Sequence, residues 1–167
     1  MTATNHTAAD HFRAATEQRM EAEFEATLTG AVEACLWSTH PTPADEDMTA
    51  LEYADEYTVT RGAMRKLRGT LAYYMRGWFL ENYAAIRQAT GDNYTWEHIG
   101  HDFWLTSQGH GAGFWDRGLG DVGDTLTDSA DGYGDMVGLY LDEEGVQVLV
   151  DPYNVQDFST GLFHDAN

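Results

Sequence analysis

Cysteine, lysine and proline are all scarce: one, one and three in 167 residues. A lone thiol, Cys35, excludes an internal disulfide. Its place in the run Val32-Glu33-Ala34-Cys35-Leu36-Trp37 reads as a small buried residue rather than a nucleophile. With only Lys66, the positive charge falls to eight arginines. Bases are few altogether: 9 face 28 acids, a formal net charge of −19. That deficit disfavours direct nucleic-acid binding, because the mean field repels phosphates. No apolar run approaches the roughly 18 residues of a membrane span, and the polar N-terminus lacks the form of a signal peptide. The expected setting is the cytoplasm, with no membrane partner.

What is present suffices for a core. Hydrophobic residues are 43% of the chain and aromatics 13%. These proportions predict a single domain over 1–167, with a helical part over about 11–90, a β-rich part over about 100–150 and a tail at 151–167. Charge divides unevenly along it. Residues 1–60 hold 12 acids against 2 bases, residues 61–100 hold 3 against 6, and residues 101–167 hold 13 against 1. Solvation in high salt, a genome favouring arginine codons or a basic partner would each give this pattern. The first two come ahead of the third, because a charge run is usually a solvated face.

Three helices are predicted first. Met20, Phe24, Leu28, Ala31 and Cys35 recur at steps of three and four, one helical stripe within 11–37. Glu17, Glu21 and Glu25 run beside it. Thr42 with Pro43 and three acids after it starts a second helix, ending near Tyr57. Thr60 caps a third, with the stripe Met64, Leu67, Leu71, Met75, Trp78, Asn82 and Ile86. Arg61, Arg65, Lys66 and Arg68 crowd its first turns. This basic patch opposes the helix dipole, so it calls for acidic neighbours from the first two helices or for a bound anion.

The second half reads as strands. His101, Phe103 and Leu105 alternate with Asp102, Trp104 and Thr106; Gly109 supplies a positive-φ turn; residues 112–117 return. A short helix over 121–133 and a hairpin over 137–150 follow. The expected fold is α+β: three N-terminal helices packed on a four-stranded antiparallel sheet, two hairpins joined by a short helix.

Candidate chemistry gathers at 101–117. His98, His101, His110 and Asp116 are a candidate metal set, though no HExxH or paired CxxC spacing accompanies them. Asp102, His110 and Asp116 are a candidate catalytic set, with the two aspartates as a carboxylate pair for acid–base work. Against both stands a structural role for the same residues, including an Asp116–Arg117 ion pair. No cofactor is expected.

The run Gly100-His101-Asp102-Phe103-Trp104-Leu105-Thr106, followed by Gly109-His110-Gly111-Ala112-Gly113-Phe114-Trp115-Asp116-Arg117-Gly118, resembles a motif in a family of small tailed-phage proteins of unknown function. Glu33-Ala34-Cys35-Leu36-Trp37-Ser38 and the hairpin around Gly145 resemble further parts of that pattern. Family members carry Arg-Asn before the turn glycine where this chain has Ser107-Gln108, which keeps the turn and removes the cation. The resemblance implies a viral origin and supplies no catalytic residues.

The expected function is that of an acidic phage accessory protein acting in the host cell. Its partner is expected to be a host protein, basic or DNA-binding. In a sharper form it is an anti-defence inhibitor whose surface imitates DNA. Carboxylates four apart on a helix rise about 6 Å per step, comparable to the spacing of backbone phosphates. Glu17, Glu21 and Glu25 then form the interaction face, with Trp104 and Trp115 from the aromatic pairs. The alternatives are a small metal- or carboxylate-dependent enzyme with its site at the hairpin, or a structural phage component. The oligomeric state stays open.

Overall fold

The computed structural model describes residues 7–41, 59–134, 136–142 and 145–150. The second predicted helix and the tail at 151–167 lie outside the described residues. Helix α1 spans Ala8–Ser38, opened by a capping box in which the Thr7 hydroxyl accepts from the Asp10 amide and Asp10 returns the bond. Helix α2 spans Arg61–Ala89 and is capped by Thr60 as expected. Its stripe buries Leu67, Leu71, Met75, Trp78 and Ile86.

Among the described residues the predicted four-stranded sheet is not there. Helix α3, Trp96–Ser107, occupies the first half of the expected hairpin, and a single 3-10 turn at Phe114–Asp116 occupies the returning half. Helix α4, Asp121–Ala130, continues into a 3-10 turn at Asp131–Tyr133. The only paired strands among the described residues are β1, Val137–Asp142, and β2, Gly145–Val150, an antiparallel hairpin with Val137 opposite Val150. The fold is mostly helical.

The physical reason lies in burial. Ile99, Gly100 and every residue from Asp102 to Ser107 are buried, so α3 is covered on nearly all sides. A helix in that position keeps only a small polar patch, at Glu97, His98 and His101, and so weak a 3.6-residue pattern does not separate helix from strand. Gly109, at φ +67°, ends the helix rather than turning a hairpin. Its amide donates to the Thr106 carbonyl and the His110 amide to the Leu105 carbonyl, the two bonds of a Schellman motif.

Helix α3 is held most closely by α1. A Cβ built on Gly100 would overlap the Thr27 carbonyl, and one on Gly30 would overlap the Glu97 carbonyl. The two backbones touch at reciprocal glycines. Below this crossing, Trp78 of α2 meets Phe103 at 4.4 Å and Phe114 at 6.0 Å between ring centroids. Its indole N–H donates to the Ser129 hydroxyl at 2.9 Å. The aromatic core thus ties α2, α3, α4 and the 3-10 turn together.

Candidate functional site

Asp102 lies in the middle of α3, its side chain 2% exposed. A carboxylate in that position requires partners. Arg117 supplies a two-point bond: Nη2 donates to Oδ1 at 2.6 Å and Nε to Oδ2 at 2.7 Å. The Tyr94 hydroxyl donates to Oδ2 at 2.6 Å, and His101 Nδ1 stands 3.9 Å from Oδ1. Burial pushes the Asp102 carboxyl upward, but the bonds from Arg117, His101 and Tyr94 outweigh it and hold the group down at about 2. Burial and the facing carboxylate raise Tyr94, and the bond to Asp102 raises Arg117. All three are fixed in their ordinary charge states.

The intervening residues build this lock. The Thr106 hydroxyl accepts from the Phe114 amide at 3.3 Å, and Asp116 Oδ1 accepts from the Gly113 amide at 3.2 Å. A Cβ on Gly113 would strike Thr106 Oγ1 and the Trp115 ring. Asp102 opens the segment and Arg117 closes it, so the motif of residues 100–118 encodes a staple between α3 and the loop that follows.

A cleft of about 450 Å³ opens beside the staple. Gly30 and Glu33 of α1 form one wall; Glu97, His98 and His101 of α3 form the other; Asn93, Tyr94 and Arg117 complete it. Its rings are braced. His98 stacks on Tyr94 at 5.7 Å with an interplanar angle of 8°, and its Nδ1 accepts from the Thr95 amide at 2.9 Å. His101 meets Trp37 at 5.7 Å. A hydrogen bond from Thr95 keeps the Glu97 carboxyl below the usual range.

The expected site residues divide as follows. Asp102 and Asp116 are both near Arg117, whose Nε is 3.6 Å from Asp116 Oδ1, but no hydrogen bond joins His110 to either carboxylate. The catalytic set of Asp102, His110 and Asp116 therefore forms no relay among the described residues. His98 and His101 share the cleft, whereas His110 and Asp116 do not line it. No group of three metal-ligating side chains converges among the described residues.

Trp104, expected on the interaction face, does not lie on the surface. It is 1% exposed, and its indole N–H donates to the Ser38 hydroxyl at 2.9 Å. Helical geometry turns it onto α1, where a strand would have turned it outward. Trp115 is 44% exposed. Of the acidic stripe, Glu21 takes a two-point bond from Arg76 at 2.7 and 2.8 Å, and Glu25 pairs with Arg68. Arg68 thus leaves the basic patch for α1, while Arg61, Arg65 and Lys66 stay exposed.

Tyr94, Asn93, Glu33 and Glu97 were not singled out from sequence, and Arg117 was paired with Asp116 rather than Asp102. One signal was available. Arg117 is the sole base after residue 100, and Asp102 is an acid embedded in an apolar run. A buried acid demands a cation, and only one follows it in the chain.

Comparison with family models, curated proteins and solved structures finds no match to the chain. No helix among the described residues is long and apolar enough to cross a membrane.

Proposed function

We propose that this is an acidic accessory protein that binds a basic protein partner, of the phage type that its 100–118 motif resembles. The observation that carries the reading is charge: 28 acids against 9 bases. Much of that charge faces solvent. Asp121, Asp124, Asp128 and Asp131 lie along α4 and its extension, all exposed and none in an ion pair with a described base. Such a field attracts a basic partner and steers its approach.

Imitation of DNA through Glu17, Glu21 and Glu25 has less support. Arg76 and Arg68 already neutralise two of the three. The enzymatic alternative has less support still. Asp102 is stapled, Asp116 caps a turn, and burial pushes the Cys35 thiol up to about 12.

Affinity capture from a lysate of the host cell, eluted with a salt gradient, tests the reading. The expected catch is a basic protein released by about 0.5 M salt, where screening shortens to a few ångströms. Capture of neutral or acidic proteins only, unaffected by salt, would overturn it.

A further inference from the structure

The geometry points to an arginine side chain of the partner as the occupant of the cleft between α1 and α3. This inference rests on the basic-partner reading and adds the place and the chemistry of contact. Three observations support it. First, the cleft has net negative character. Arg117 contributes no free charge, because Asp102 binds it at two points and Asp116 stands beside it. Glu33 and Glu97, both exposed carboxylates on opposite walls, set the sign, and the Thr95 hydrogen bond favours the ionised form of Glu97.

Second, an exposed indole stands next to the cleft, in contact with one of its lining residues. Trp37 is 54% exposed although its neighbours Ala34, Cys35 and Leu36 are buried. It lies one helical turn beyond Glu33 on α1, and its ring meets that of His101, which lines the cleft, at 5.7 Å and a tilt of 38°. About half of the Trp37 surface is exposed, enough for a planar cation to rest on the ring. An indole beside a carboxylate suits guanidinium better than ammonium, because guanidinium stacks and bonds a carboxylate at two points.

Third, the space is preformed. The glycine crossing holds the α1 and α3 backbones in contact, which fixes the walls carrying Glu33 and Glu97. The cleft's 450 Å³ falls within the range of ordinary ligand sites. A docked arginine residue therefore meets walls already in place, without first ordering a loop.

Titration of the full chain with N-acetyl-arginine amide, followed by the ring resonances of His98 and His101, is the direct test. Saturable binding at about 1 mM is expected, with N-acetyl-lysine amide weaker by about threefold or more. The double variant Glu33→Gln, Glu97→Gln should weaken the arginine probe about tenfold or more, and Trp37→Ala about threefold. All three residues are exposed, and circular dichroism checks that the variants fold. The double variant should also lose the salt-eluted partner. Absence of saturable shifts, equal binding by the double variant, or partner capture unchanged by it would each overturn the assignment. Arginine binding by the wild type with no basic partner captured would instead overturn the partner reading, leaving the cleft as a guanidinium site.

Discussion

Asp102 shows how a single side chain links sequence to stability. Its carboxyl is held near 2 against an ordinary 3.8. A group depressed on folding contributes stability that is complete above its unfolded value and is lost as pH falls toward its folded value. The relevant window is therefore below pH 4, and the contribution is about 2 kcal/mol. Acid titration of unfolding free energy should show that limb in the wild type, and Asp102→Asn should remove it. Arg117→Ala is the harsher change, because it leaves a buried carboxylate unpaired. A loss of about 3–5 kcal/mol is expected by denaturant unfolding at pH 7. A loss under 1 kcal/mol would mean that Asp102 finds solvent or another cation. Cys35 offers an independent probe at the same scale. It is fully buried and raised to about 12, so a thiol reagent should label it only through opening of the fold. Labelling as fast as that of a free thiol at neutral pH would contradict its burial. The burial of Cys35 was legible from its apolar neighbours. The staple was not, because Tyr94 and Arg117 reach Asp102 across 8 and 15 residues, and no local pattern encodes that distance.

At the scale of elements, legibility followed amphipathicity. Helix α2 has one buried face and one wet face, and its stripe and cap were readable residue by residue. Helix α3 has almost no wet face, so its alternation of charged and aromatic residues imitated a strand. The missed cue was Thr95-Trp96-Glu97-His98, in which His98 returns the capping bond that a glutamate more often makes. The β1–β2 hairpin kept its period-two pattern and was read correctly. The glycines separate the two readings by experiment. In a hairpin, Gly109 would be the sensitive position and Gly100 a spare strand residue. In the helical fold, Gly100→Ala forces backbone against backbone at Thr27 and should cost about 3 kcal/mol, as should Gly30→Ala at Glu97. Gly109→Val meets open space and only the left-handed backbone penalty, roughly 1–2 kcal/mol. Thermal melts of the three variants should rank the crossing glycines below Gly109→Val. The reverse ranking would contradict the α1–α3 contact.

For the whole molecule, the question is what a net charge of −19 does when no partner is bound. A chain of this length has a radius of gyration near 15 Å. The screening length is about 30 Å at 0.01 M salt and about 8 Å at 0.15 M. In dilute salt every carboxylate therefore repels every other; at physiological strength only near neighbours do. Part of the near-neighbour repulsion is already cancelled, because Arg68, Arg76 and Arg117 sit against Glu25, Glu21 and Asp102. The melting temperature should rise on the order of 5 °C between 0.01 and 0.15 M salt and then level off. Affinity for a basic partner should fall over the same range, since the screening that relieves the free chain also weakens the attraction. Opposite salt dependences of stability and binding are the mark of charge kept for a partner. A melting temperature that climbs steadily into molar salt would instead mark charge kept for solvation in a salt-rich setting. The basic-partner reading would then lose the observation that carries it.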